Sequence, residues 1–496
     1  MLEKEVHRMD VLFPSNFKML FQKDSLLKAA RHEGGVNRRL FLAYATALYG
    51  IPMLGKAANI NRRMKFASNP FSLGVASGDA NSTSVVLWTR LAPNPLDPDG
   101  GMPNLGVPVQ WRLATDDGMQ NIAASGQQLA TPQLGHSIHV TAGQLKPDTW
   151  YWFQFSVNGE ESVVGRTRTM PARFANPKQL SFAAASCQSL EQGYYTAYDR
   201  MAEDELDLVF HLGDYIYEYN AGNQGNIRKH HGGEIVSLSD YRVRHAQYKL
   251  DPALQKAHAR CPWFVTWDDH EVDNNWNPEE IDQEHLDAAT QVFFEFLAIR
   301  PQAVPQRIWR SYRYGKTLEV FILDSRSERR PTEGLYISDA QMAWLKKGLS
   351  ESDAIFKVIV NSVPITDMPV WFIAEGDRWE GYPEQRAEIL DFIGSEVEGV
   401  FWITGDFHFG GVMNIGVPGS THENMREIMV GPAAQFVNPL WVGVRNSPSV
   451  KGQFPFLTGT LNYTRFTLNP EDEPPSLTVE FLTGSGSIIH SEVLTL

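Results

Sequence analysis

Cysteine is almost absent from this chain, with Cys187 and Cys261 the only two among 496 residues. So few exclude a disulfide framework as what holds the fold together. Long apolar runs are missing too. The mildly apolar stretch from Leu40 to Leu54 is about 15 residues, short of the roughly 20 that span a bilayer. No complete Gly-x4-Gly-Lys-Ser/Thr phosphate loop occurs, and no internal repeat or low-complexity tract is visible. Positive charge is in deficit, 44 Lys and Arg against 58 Asp and Glu, for a net charge of −14. That sign argues against a nucleic-acid-binding role and suits cations.

What is present is ordinary globular composition, 43% hydrophobic and 21% charged, enough for two or three domains. Thirteen Trp, 16 Tyr and 27 Phe suit layered or sandwich cores. Residues 1–58 differ from the rest, with nine basic and five acidic side chains against an acidic remainder. The pair Arg38-Arg39, the apolar stretch and the small residues after Gly55 resemble a twin-arginine (Tat) export signal, which implies the Tat machinery as a partner and a periplasmic or secreted location. The competing reading is an amphipathic helix packed on the domain. A stable transmembrane segment is the weaker reading.

Over residues 71–171, β-type runs at 84–91, 107–114, 137–145 and 150–157 alternate with turn signals. This spacing predicts a small all-β sandwich of immunoglobulin or fibronectin type, placed at 59–171. From 172 to 496 the pattern changes. Apolar strands at 180–185, 206–212, 263–267, 318–323, 356–360 and 400–403 end in polar turns, with helical periodicity at 285–299, 338–349 and 383–393. A layered α/β domain follows.

Four strand ends concentrate the chemistry. They read Ser186-Cys187-Gln188, Gly213-Asp214-Tyr215-Ile216-Tyr217-Glu218, Trp267-Asp268-Asp269-His270-Glu271 and Gly405-Asp406-Phe407-His408. Layered α/β folds gather ligands at the carboxyl ends of their strands, so these turns are expected to converge. Carboxylates brought that close repel unless a cation lies between them, which predicts a metal site. Each motif alone has a plainer reading: a turn, a helix N-terminus, or buried packing for Cys187, which could instead pair with Cys261.

Together these blocks resemble the alkaline phosphatase D (PhoD-like) branch of the metallophosphoesterases. Supporting stretches are Ala185-Ser186-Cys187-Gln188, Asp324-Ser325-Arg326 and Trp379-Glu380-Gly381-Tyr382-Pro383. The resemblance implies a four-layer αββα catalytic domain behind the sandwich, with Fe(3+) and Ca(2+) as cofactors. It makes Cys187, Asp214, Tyr217 and His408 the iron shell, with Asp214 bridging to a calcium also held by Asp269 and Asp406. Asp214, His270 and Arg326 take catalytic places, with Asn361 a further candidate. Where other dinuclear phosphoesterases carry Asp-x-His on the first strand, this chain has Ser186-Cys187-Gln188.

The implied activity is that of an exported alkaline phosphatase, hydrolysing phosphate mono- and diesters with a metal-bound hydroxide. A phospholipase D-like phosphodiesterase is the runner-up within the same fold. A non-catalytic calcium-binding surface protein is the alternative of another class; Cys187, Tyr217 and His408 speak against it, because calcium prefers oxygen ligands.

Overall fold

The computed structural model describes residues 65–302, 306–368, 375–446 and 452–495. The export segment expected over residues 1–58 lies outside them. Among the described residues no helix is long and apolar enough to cross a membrane.

Three apolar runs become adjacent parallel strands, Leu180–Ala185, Leu208–His211 and Trp263–Val265. In register, His211 pairs with both Ala185 and Val265, so all three chains leave the sheet at the same end. They form the centre of a nine-stranded mixed sheet. A seven-stranded sheet repeats the arrangement with Leu318–Ile322, Phe356–Val360, Val400–Thr404 and Arg426–Met429 in parallel.

The period of two along each strand builds the layers. Leu180, Phe182 and Ala184 share one core with Val358, Val360, Phe401 and Ile403 of the second sheet. Ala183 and Ala185 point the other way, toward Tyr198, Leu254 and Phe293 on helices. Behind the second sheet, Ile359 and Trp402 pack on Leu345 of helix Asp339–Glu351 and on Ile389 and Ile393 of helix Pro383–Glu396. Helices, sheet, sheet and helices therefore stack in that order. Ser338 starts the first of these helices by accepting from the Gln341 amide, and Pro383 opens the second at a position that needs no N–H.

The N-terminal β region differs from the expected self-contained sandwich. Its outer sheet contains Val107–Ala114, Ile122–Ala130, Trp150–Val157 and Gly165–Arg168. Its other strands, Val75–Gly78, Val85–Arg90 and Ser137–Ala142, extend the nine-stranded sheet, joined where Gly78 pairs in parallel with Trp263. A Cβ at Gly78 would lie 2.4 Å from the Ala298 carbonyl oxygen and 2.5 Å from that of Trp263, so the junction needs glycine. Beside it the buried Asp79 carboxylate pairs with Arg310 at 2.9 Å, and Phe153 and Phe155 share a core with Phe182 and Phe210. At the opposite edge, Tyr463–Asn469 pairs antiparallel with Leu180–Ala185, and Ser476–Leu482 and Ile488–Thr495 follow.

Helix Leu238–Lys249 carries little apolar periodicity, yet buries Arg242, Arg244, His245 and Lys249. The Lys249 ammonium lies 3.3 Å from His258 Nε2 and 4.6 Å from the centre of the Trp88 ring, and pairs with no carboxylate among the described residues. Burial pushes Lys249 down to about 7, and burial together with Lys249 pushes His211 and His245 down to about 3. Unfolded, the lysine keeps its proton to about pH 10.4. Between the two values only the unfolded state binds that proton, so this group makes stability rise with pH, by up to about 1.4 kcal/mol per pH unit. Lys249→Met should flatten the rise between pH 7 and 10 in urea unfolding and stabilise the fold at pH 7. An unchanged slope would contradict this account of Lys249.

Candidate metal centre

The turns that leave the parallel strands adopt an uncommon backbone. Cys187, Asp214, Asp406 and His408 have φ of 53°, 55°, 67° and 56°, in the left-handed region that non-glycine residues seldom occupy. Neighbouring turns hold one another in place. The Cys187 amide donates to the Gly213 carbonyl at 3.3 Å, the Gln188 amide to Asp214 at 3.1 Å, and the Ala434 amide to Cys187 at 3.2 Å. Gly213 permits this closeness, since with φ of 109° its added Cβ would lie 2.5 Å from Asp268 Cβ.

Two groups of donor atoms result. Cys187, Asp214 and His408 each offer a ligand atom within 4.8 Å of the others, and so do Asp214, Asp269 and His270. Asp214 belongs to both. Tyr217 completes the first group, its hydroxyl donating to Asp214 Oδ2 at 2.8 Å and lying 3.5 Å from His408 Nε2. The other Asp214 oxygen is buried with no hydrogen-bond partner. A buried carboxylate oxygen without a donor is costly unless a cation takes that place, so the residues present fit metal ions.

Electrostatics point the same way. Burial and the Asp214 carboxylate push both the Cys187 thiol and the Tyr217 phenol well up. Burial, with Asp268, Asp269 and Asp377 nearby, pushes the Asp406 carboxyl up. Asp406 thus faces the same acidic space, though it stands outside both tight groups. Burial also lifts Asp268 to about 8 against the pull of Arg326. Burial opposes ionisation of Asp269, but His270, Arg326 and the Asn275 amide at 2.8 Å hold its carboxyl low. A cation reverses the penalty on thiolate and phenolate and favours every ionised ligand.

Around the donors lies a shell that sequence reasoning left unassigned. Glu218 Oε2 meets His270 Nδ1 at 2.8 Å and its other oxygen accepts from the Asn274 amide at 3.2 Å. Glu271 accepts from the amides of Tyr215 at 2.6 Å and Asp268 at 2.9 Å, tying two site turns together. Burial lowers His270, but Asp269, Glu218 and Asp214 outweigh it and raise the imidazole well above its ordinary value. Glu218 and Glu271 were legible as the acids closing their motifs; Asp377 had no strand or motif to mark it.

Arg326, expected in a catalytic place, lies fully buried beside the donors, with Nε donating to Asp268 Oδ1 at 2.7 Å and Nη1 to Asp377. Asn361 is buried, donates from Nδ2 to the Val363 carbonyl at 2.6 Å, and leaves its Oδ1 without a partner. Cys187 and Cys261 are both free thiols, so the alternative disulfide is not formed.

Comparison with known proteins agrees with this geometry. Residues 182–439 match the family "PhoD-like phosphatase", and residues 56–171 match "PhoD-like phosphatase, N-terminal domain". The chain is 41% identical over 401 residues to alkaline phosphatase D of Bacillus subtilis (strain 168), covering 73% of this chain and 68% of that protein. A solved structure of PhoD superposes with a TM-score of 0.77 at 35% identity, over 87% of this chain and 90% of the other. A purple acid phosphatase from yellow lupin (Lupinus luteus) seeds shares the fold at a TM-score of 0.57 and 12% identity, over 85% and 74% of the two chains.

Because the Gly213 turn sets the spacing of Cys187, Asp214 and Asp268, Gly213→Ala should destabilise the fold by about 1–3 kcal/mol and lower the metal retained after gel filtration. Unchanged metal content by elemental analysis would show that the turn tolerates the side chain.

Proposed function

The chain belongs to the PhoD-like phosphatase family and is a phosphoric ester hydrolase, and from that premise we propose that its centre holds a ferric ion and a calcium ion joined by Asp214. The observation that carries this reading is the sharing of Asp214 between the two donor groups. Cys187, Asp214, Tyr217 and His408 would hold the iron, since thiolate and phenolate favour the trivalent state. Asp214, Asp269 and Asp406 would hold the calcium through oxygen. Such a pair supplies Lewis-acid charge for phosphoryl oxygens and lowers the pKa of the attacking water.

The protein's own residues then orient and protonate. Glu218 fixes the His270 ring through Nδ1, which leaves Nε2 free, 4.0 Å from Asp269 Oδ1. With its ring held by Glu218, a protonated His270 would give its proton to the leaving oxygen as the P–O bond breaks. Arg326 holds Asp268 and Asp377 in place, and Glu271 fixes the turn from which Asp214 projects.

The substrates are phosphate monoesters and diesters, and Tat export to the periplasm or beyond follows from Arg38-Arg39 and the apolar run after it. A panel of a nitrophenyl monoester, a bis-nitrophenyl diester and phosphatidylcholine separates phosphatase from phospholipase D-like action. Turnover confined to the phospholipid would replace the first assignment with the second.

Asp214→Asn should reduce kcat/KM by at least about 10³-fold, the scale of losing several kcal/mol of charge stabilisation, and remove the visible absorption expected of ferric thiolate and phenolate. A colourless, fully active native protein would refute the iron assignment. Glu218→Gln takes a negative charge from beside His270, so His270 loses its proton at lower pH. The alkaline limb of the kcat/KM profile should then move to lower pH, with activity lost above it. An unmoved limb would remove His270 from the acid role.

A further inference from the structure

Away from the ligand-bearing turns, the edge strand Arg310–Tyr314 of the seven-stranded sheet borders a cavity of about 410 Å³. Arg173, Arg300, Arg307, Arg310 and Arg313 line it, together with Trp344. Five guanidinium groups around one cavity run against the net charge of −14.

Their compensation is incomplete. Arg310 pairs with Asp79 at 2.9 Å, Arg313 with Glu319 and Asp353 at 2.7 Å each, and Arg173 reaches Asp353 at 3.5 Å. Arg300 donates from Nη2 to the Asp79 carbonyl, and Arg307 packs 4.2 Å from the centre of the Trp309 ring. Neither forms an ion pair with a carboxylate among the described residues, and the Nε of each is buried without an acceptor. Glu328, the acid that acts on Arg307 electrostatically, is engaged by Trp309 Nε1 at 2.7 Å and Gln341 Nε2 at 3.0 Å. With Glu328, whose charge these neutral donors leave in place, four carboxylates therefore answer five guanidinium groups.

We propose that this cavity is a second anion site, separate from the candidate metal centre, that takes the phosphoryl dianion of a small phosphate ester. The positive excess and the two guanidinium groups that pair with no carboxylate, each with an unpartnered Nε, favour an anion, and guanidinium forks suit phosphoryl oxygens. The volume falls in the range of small-molecule pockets and exceeds what bare phosphate fills, leaving room for an ester body against Trp344. The site gives the protein a means of retaining or sensing phosphate independently of turnover, and it does not depend on which metals the centre holds.

The test is calorimetric titration of the metal-loaded enzyme with inorganic phosphate, and separately with phenylphosphonate as a non-hydrolysable ester mimic. Two binding classes are expected for each. Arg307→Gln should weaken one class at least tenfold while leaving kcat/KM for a monoester and competitive inhibition by phosphate unchanged, and Asp214→Asn should remove only the other. Arg173→Glu, at the exposed rim, weakens the first class through charge alone and serves if Arg307→Gln folds poorly. A single class abolished by Asp214→Asn, or two classes untouched by both arginine variants, would overturn the proposal.

Discussion

The structure is organised around a concentration of buried negative charge. Asp214, Asp268, Asp269 and Asp377, with the half-buried Asp406 beside them, meet where two sets of parallel strands end, and among the described residues Arg326 and Arg329 are the buried arginines that ion-pair with Asp268 and Asp377. At low dielectric such a cluster is unstable unless it is protonated or bound to cations. The upward push on Asp268 and Asp406, and the unpartnered oxygens of Asp214 and Asp268, are two expressions of that deficit. Strain is tolerated there for the same reason. Of the four left-handed residues, Cys187, Asp214 and His408 are held by backbone hydrogen bonds between neighbouring turns.

The N-terminal β region takes part in this organisation. Gly78 joins its strands to Trp263–Val265, the strand that leads into the Asp268–Glu271 turn. Arg310, paired with Asp79 of the N-terminal region, donates to the Val265 carbonyl at 3.0 Å. One buried ion pair thus ties the N-terminal strands, the edge of the second sheet and a strand that leads into the candidate site. Removing either partner would leave an uncompensated charge beneath the site, and such losses cost about 3–5 kcal/mol.

Much of this was legible because apolar strands ending in charged turns are unusual. A buried strand has no local reason to finish in Asp214, Asp269 or Asp406, so the positions announce themselves. Ser338 and Pro383 likewise mark helix starts by their own chemistry. Other elements carry no such local signal. Ile122–Ala130 has few β-branched residues and is a strand because Val107–Ala114 pairs with it. Helix Leu238–Lys249 hides arginines and histidines where a periodicity argument expects apolar side chains, because their partners come from distant segments, as Glu295 does for Arg242.

By itself the sequence determined the donor chemistry: a thiol, a phenol, imidazoles and carboxylates, each placed just beyond a strand. Only the tertiary structure decided which of them come together, because that depends on strand order and register. Tyr217 and His408 lie 191 positions apart yet come within 3.5 Å, and Arg326 is brought between Asp268 and Asp377. Spacing along a chain reports local geometry and carries no information about distances that packing of two sheets sets.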